Sequence, residues 1–412
     1  MLLRIIIISV VLLAAANVQA ATHEYTVTLA GDLSTLRVEG KLSSGATRHY
    51  TVDLSTLDRR RGSSAQTIVV PVAQWMRRPR LGGRDEVIVS FQLPDGMGVS
   101  VPWEVLDYDA HLYRLVSSPQ SGTGLAVFGR FDEVFVPVGD VEMRVVTLPD
   151  ADNPIQPEAI DWTRQTAEHI ALAYGRFPNP HARAILFPSR SRWGDSTVQF
   201  GRVVRDGGET IELMIDPRGS EEEFLSAWTA THEFSHLMLP YVARDQRWIS
   251  EGFAQYYQNV LLARAGRYTP EEAWRKIEDG LERGAESSPS LSPNQATSGG
   301  ERNTRMKIYW SGAALALMAD VELRRRSNGA ESLDLVLDRL QACCLPSRRT
   351  WSGRDLFEQL DALIDEPLFV DLYERYADRR GFPDFQASLE APELAEIRAA
   401  ITARRYTGEP GK

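Results

Sequence analysis

Cysteine is almost missing from this chain. Of 412 residues only Cys343 and Cys344 are cysteines, and they are neighbours. Consecutive Cα atoms lie about 3.8 Å apart across a trans peptide, below the roughly 4.4–6.8 Å usual in a disulfide. A disulfide framework is therefore excluded, and the pair reads as buried thiols in a helical segment. Basic excess is missing too. Lys and Arg number 46 against 56 Asp and Glu, a formal net charge of -10. The runs Arg59-Arg60-Arg61 and Arg324-Arg325-Arg326 are short and read as solvated faces, so no nucleic-acid partner is expected. Beyond the first twenty residues no apolar stretch is long enough to span a bilayer. There is no internal repeat, and 43% hydrophobic with 25% charged residues excludes general disorder. The length suits two or three domains.

The first twenty residues differ from the rest. Arg4 precedes an apolar run over residues 5–16, and Val18-Gln19-Ala20 is a small-residue cleavage site. This is the layout of a secretory signal peptide over residues 1–20, and it predicts an exported protein, periplasmic or secreted. A retained N-terminal membrane anchor is the alternative. Residues 21–148 read as a β-rich domain, with short β-branched runs at 25–29, 67–72 and 87–91. A hairpin of residues 134–138 and 141–146 turns at Gly139-Asp140, and a β-sandwich fits this spacing. Asp and Pro at 149–157 mark a boundary. Residues 149–264 are mixed. A helix is predicted over 159–174 and strands over 184–187, 201–204 and 210–215. A further helix starts at Ser220, where a Ser cap is followed by Glu221, Glu222 and Glu223. Residues 265–406 are almost all helical. They are interrupted by 286–303, rich in Ser, Pro and Gly, which reads as a flexible loop. The tail 407–412 reads as disordered.

The strongest chemical signal is His232-Glu233-Phe234-Ser235-His236, placed in the helix that starts near Ser220. Residues four apart stack on one helical face, so both imidazoles reach one metal ion. Glu233 lies about 100° round from His232, where it faces the water that a catalytic metal activates. This H-E-x-x-H arrangement is the zincin motif. Catalytic zinc needs a third protein ligand and one open position. Glu251 supplies the third, in the first turn of a helix that Ser250 is placed to cap. One zinc ion held by His232, His236 and Glu251 is therefore predicted. Two imidazoles and a carboxylate suit zinc better than iron.

His232-Glu233-x-x-His236 followed by Trp248-x-x-Glu251-Gly252-x-Ala254-x-Tyr256-Tyr257 resembles a gluzincin peptidase, and most resembles the glycyl aminopeptidase family. Tyr268-Thr269-Pro270-Glu271-Glu272, Tyr309-Trp310-Ser311-Gly312-Ala313-Ala314-Leu315 and residues 322–334 extend the resemblance, which covers about 213–376. It implies a multidomain α+β chain: a β-rich N-terminal domain, a thermolysin-like catalytic domain and a helical C-terminal domain. It implies zinc ligation by His232, His236 and Glu251, Glu233 as general base, and Tyr309 as hydrogen-bond donor to the tetrahedral oxyanion. The implied substrate is a peptide or protein.

The departures are as informative. The stretch between His236 and Glu251 is shorter than usual in gluzincins. Gln255 stands four residues after Glu251 where a carboxylate often orients a zinc-bound histidine, and would do so only through its amide oxygen. Ser311 replaces a lysine. Gly207-Gly208-Glu209 is a candidate for holding a free α-amine, but reads better as a plain turn. Trp193-Gly194-Asp195-Ser196 and Gly201-Arg202 form an unusual upstream stretch without an assigned role. Aminopeptidase-like action is expected. The rivals are an endopeptidase of the same fold, a zinc hydrolase acting on a non-peptide bond, and a non-catalytic envelope binding protein with a residual zinc site.

Overall fold

The computed structural model describes residues 20–150, 154–189, 197–299, 303–390 and 393–404. The predicted export signal, the Trp193 to Ser196 stretch and the tail lie outside the described residues, save that Ala20 is described.

Nine strands come first: β1 (Thr22–Leu29), β2 (Thr35–Lys41), β3 (Thr47–Asp53), β4 (Thr67–Pro71), β5 (Glu86–Gln92), β6 (Gly98–Ser100), β7 (Glu104–Asp107), β8 (Leu112–Val116) and β9 (Leu125–Gly129). They form a six-stranded sheet of order β3-β2-β1-β5-β8-β7 and a three-stranded sheet β4-β9-β6. In β1, Tyr25, Val27 and Leu29 are buried and the residues between them are more exposed. That period of two turns one face inward. In β4 both faces are covered. Ile68 and Val70 pack into the core between the two sheets, and Val69 packs on the other side against Val146, Ile185 and Phe187. This explains why residues 67–70 read as a continuous apolar run rather than an alternating one.

The second part holds β10 (Asp132–Val138), β11 (Val141–Thr147), β12 (Arg183–Pro188), β13 (Val198–Arg205) and β14 (Glu209–Ile215), in the order β10-β11-β12-β14-β13. The hairpin expected at Gly139 is present, with Val138 opposite Val141 and Gly139 at φ +60°. It pairs through β11 with β12 in parallel, so the boundary drawn at 148/149 falls inside one sheet. Local patterning shows a hairpin but not which sheet it joins.

The helices are α1 (Pro157–Tyr174), α2 (Glu221–Ser226), α3 (Thr229–Ser235), α4 (Trp248–Arg264), α5 (Pro270–Glu286), α6 (Pro293–Ser298), α7 (Arg305–Arg326), α8 (Leu333–Cys344), α9 (Gly353–Asp361), α10 (Phe369–Tyr376), α11 (Gln386–Glu390) and α12 (Leu394–Thr402). The architecture is thus mixed α+β, with a β-rich N-terminal part and a helical C-terminal part. Among the described residues no helix is long and apolar enough to cross a membrane.

Four expectations are corrected. The helix begun at Ser220 ends at Ser226, because Ala227 is extended (φ -73°, ψ 117°), and the histidines lie on the separate α3. Ser250 does not cap α4. It lies inside the helix, with its hydroxyl on the Arg247 carbonyl at 3.2 Å. Residues 286–303 are not one loop. Ser292 caps α6 through a capping box with Gln295, and Asn294 accepts a 2.8 Å bond from the Trp248 indole. Cys343 and Cys344 are neither free nor buried thiols. They are bonded to each other at the end of α8, where Cys343 is exposed.

Candidate metal centre

α3 is one short helix, with His232 inside it and His236 at its C-cap, still in helical conformation. The chain then tightens into a 3-10 turn over His236–Met238. α4 begins at Trp248 and crosses α7 at very short range. A Cβ on Gly252 would lie 2.2 Å from the Gly312 Cα, and one on Gly312 would lie 2.2 Å from the Trp248 carbonyl oxygen. Two glycines therefore let the backbones meet. That approach brings Glu251 of α4 and Tyr309 of α7 to the same place.

The structure gathers His232, His236 and Glu251. One ligand atom of each lies within 4.8 Å of the others. Glu251 Oε2 is 3.3 Å from His232 Nε2 and 3.6 Å from His236 Nε2. Tetrahedral zinc with bonds of about 2.0–2.1 Å would separate its ligand atoms by about 3.3 Å, so the donor set fits the ion.

The electrostatics of two of the three donors, Glu251 and His236, support that fit. Burial raises the Glu251 carboxyl, but hydrogen bonding to His232 and the nearby histidines and Tyr309 outweigh it, and its pKa falls to about 2. Burial pushes His236 down to about 3, which keeps its ring neutral. A carboxylate and a neutral imidazole are the forms that bind metal. Burial also lowers His232, but the Glu251 hydrogen bond, the Glu233 and Glu251 charges and the Gln258 amide together raise it. Burial raises the Glu233 carboxyl to about 7, with His232 opposing and Glu251 adding to the rise.

Tyr309 stacks on His232, with ring centroids 5.6 Å apart and planes at 26°, and its hydroxyl interacts with the Glu251 carboxylate. Burial and the Glu251 charge hold that phenol well above its usual pKa, so it stays a donor at neutral pH.

Two expected site residues take other places. Gln255 lines the cavity beyond Tyr309 together with Gln258, which is buried three residues later and adds to the rise of His232. The two side chains make no hydrogen bond, and His232 Nδ1 and Gln258 Oε1 are both without a partner among the described residues. Glu209 does not face the metal site. It accepts from Arg205 at 2.8 Å and Asn179 at 2.6 Å. Its role is indirect. Arg205, at the end of β13, donates to the carbonyls of His236 at 2.7 Å and Leu239 at 2.9 Å. These carbonyls lie at a helix end, where a guanidinium adds a hydrogen bond to each and opposes the dipole. Nothing in the local spacing marks this role of Arg205, because the two carbonyls it holds are remote in sequence.

The trimmed connection between His236 and Glu251 is held from outside. Ala243 donates to the Trp351 carbonyl at 2.9 Å, and Trp351 donates to that of Tyr241 at 2.9 Å. Gln246 bridges Tyr373 at 2.6 Å and the Gly353 amide at 2.7 Å. The helical C-terminal part thus fixes the spacing of the ligands.

β13 is the edge strand, and Gly201 on it touches Glu233: a Cβ there would lie 2.4 Å from Glu233 Cγ. Gly201→Ala should displace the carboxylate. Peptide cleavage is expected to fall at least tenfold while zinc content stays at the wild-type level, measured by kinetics beside metal analysis.

His169 of α1 packs under α3, with Nδ1 3.4 Å from Thr231 Oγ1. Burial, with Arg267 adding, pushes its pKa down to about 4. The unfolded ring titrates near 6.5, so the unfolded chain binds more protons between those values. This group's stabilisation is complete above about pH 6.5 and is lost as pH falls toward 4, by an amount on the order of 3 kcal/mol. Denaturant melts from pH 4 to 8 should show that slope, and His169→Asn should flatten it.

A cavity of about 440 Å³ opens on the β13 side of the site, lined by Phe200, Gly201, Glu233, His236 and Glu251, with Tyr309 at its border. A second, of about 390 Å³, lies beyond Tyr309. An exposed aromatic stands at each, Phe200 at 51% and Trp228 at 41% exposure.

Residues 240–315 match the M61 glycyl aminopeptidase family. The chain resembles that family over the segment carrying Glu251 and Tyr309. The fold is that of M1 zinc metallopeptidases. An aminopeptidase N family protein from Idiomarina loihiensis superposes with TM-score 0.58 at 11% identity, over 91% of this chain and 77% of that one. An M1 zinc metallopeptidase from Deinococcus radiodurans gives TM-score 0.53 at 15% identity, over 91% and 96%. A two-domain M1 zinc metallopeptidase mutant bound to L-tryptophan gives 0.54 at 14%, over 89% and 95%. No curated protein matches in sequence. The resemblance read from the motifs is thus met both by the family match and by the fold.

Proposed function

We propose that this protein is an exported, zinc-dependent peptidase of aminopeptidase-like action. The observation that carries the reading is the convergence of His232, His236 and Glu251 with Glu233 beside them. A site that only stored zinc would have no use for Glu233, a buried carboxyl beside the three donors that is not one of them.

Zinc, when bound, supplies a Lewis acid that polarises the scissile carbonyl and makes water more acidic. Glu233, on the lining of the cleft beside His236 and Glu251, takes the proton of the attacking water and hands it to the leaving nitrogen. The Tyr309 phenol donates to the oxygen on which charge develops, a contact strongest in the transition state. The free edge of β13 offers backbone groups to an extended substrate. Phe200 and Trp228 offer apolar surface to its side chains.

One observation favours the endopeptidase alternative. Glu209, the candidate for holding an α-ammonium, is engaged by Arg205 and Asn179. A mass-spectrometric digest of a peptide library, with free and acetylated N-termini, separates the two. N-terminal trimming of free peptides alone supports the aminopeptidase. Internal cuts, or equal cutting of acetylated peptides, support the endopeptidase. No cleavage by zinc-loaded protein would count against both. Export is tested by fractionating cells that express the full chain. Retention of the uncleaved chain in the cytoplasm would contradict it.

A further inference from the structure

The cavity on the β13 side of the site is lined by four arginines, Arg202, Arg205, Arg244 and Arg247. Two are already engaged. Arg202 pairs with Glu212 at 2.7 Å, and Arg205 pairs with Glu209 and two backbone carbonyls. Arg244 and Arg247 are not: among the described residues their side chains make no ion pair or hydrogen bond. Among the described residues the only carboxylates on the lining are Glu233 and Glu251, and the proposed chemistry occupies both. This local positive excess stands in a chain of net charge -10, so it does not follow from composition. Both free guanidinium groups border the short connection that joins the two ligand helices. That connection is pinned by Trp351, Tyr373 and Gly353, so they sit on a fixed edge of the cleft.

A guanidinium presents a planar fork of donors that matches a carboxylate. We propose that Arg244 and Arg247 form a subsite that reads a carboxylate on the peptide substrate close to the scissile bond. The carboxylate belongs either to an Asp or Glu side chain or to the free C-terminus of a short peptide. The subsite rests on the peptidase reading for its use in catalysis, but not for binding.

The test uses full-length, zinc-loaded Glu233→Gln protein and a set of short peptides that differ only at carboxylates. One contrast is Glu against Gln at a single position. The other is a free acid against an amide at the C-terminus. Affinities are measured by calorimetry. Charge-assisted hydrogen bonds of this kind give about ten- to a hundredfold in affinity. At least one contrast should show that preference, and the one that does identifies the source of the carboxylate. Adding Arg244→Gln and Arg247→Gln should abolish the preference while leaving amide peptides bound as before, with melting temperature and zinc content unchanged. Equal affinity for acids and amides, or a preference that survives the double substitution, overturns the subsite. Cleavage by the wild type is followed in parallel. Cutting without carboxylate preference leaves the peptidase standing and removes the subsite. Selective binding without any cutting does the reverse.

Discussion

Glu233→Gln is expected to reduce peptide hydrolysis about 10²–10⁴-fold in kcat while leaving one zinc per chain and an unchanged melting temperature. Glutamine is nearly isosteric but cannot accept and return a proton. It keeps the contact with Gly201, whose missing Cβ makes room for this side chain. The loss should appear in kcat far more than in KM, because a proton carrier acts in the transition state and adds little to ground-state binding. A steady-state comparison on one cleaved peptide, with metal analysis of the same samples, reads both. Equal rates for the two proteins would remove Glu233 from the chemistry.

The second large effect concerns the scaffold. Asp334→Ala should destabilise the protein by about 3–5 kcal/mol, because it strands buried positive charge. Arg264 bonds Asp334 at 2.8 Å and 3.2 Å, and Tyr257 donates to the same carboxylate at 3.0 Å. Arg324 bonds Asp320 at 2.8 Å and approaches Asp334 at 3.5 Å. Tyr256 completes the set on Asp320 at 2.8 Å. All these groups are buried, and they tie α4 to α7 and α8 behind the metal site. Tyr257→Phe removes one hydrogen bond and no charge, so its cost should be closer to about 1 kcal/mol. Urea melts of the two variants should rank in that order. A smaller loss for Asp334→Ala than for Tyr257→Phe would show that the carboxylate does not neutralise the arginines.

This network also shows what the sequence displays and what it hides. Tyr256-Tyr257 and the arginines of residues 324–326 were visible as motif members and as a charge run. The run was read as a solvated face, yet Arg324 is buried. Its burial depends on Asp320 and Asp334 arriving from one turn and one helix away, which a charge count does not register. The metal set was legible because its parts are local: two histidines one helical turn apart and an acid at the start of the next helix. Tyr309 was legible only through family resemblance, since an aromatic on an apolar helix carries no signal of its own. Arg205 and Gln258 were not legible, because each acts through a tertiary contact. The break at Ala227 was missed because the Ser220 capping box marks where a helix starts and says nothing of where it stops. Ser292 and Pro293 carried the capping signal for α6, but it lay within a stretch whose Ser, Pro and Gly content reads as loop. The sheet membership of β10 and β11 depends on pairing with β12, some forty residues onward, and local alternation does not specify it.

Metal stoichiometry tests the central claim most directly. The full-length wild type, purified, dialysed and assayed by elemental analysis, should hold one zinc per chain. Glu233→Gln should hold the same. His232→Ala, His236→Ala and Glu251→Ala should each lose most of it while remaining folded by circular dichroism. A wild type that binds no zinc, or substitutions at the three ligands that leave the stoichiometry unchanged, would contradict the account.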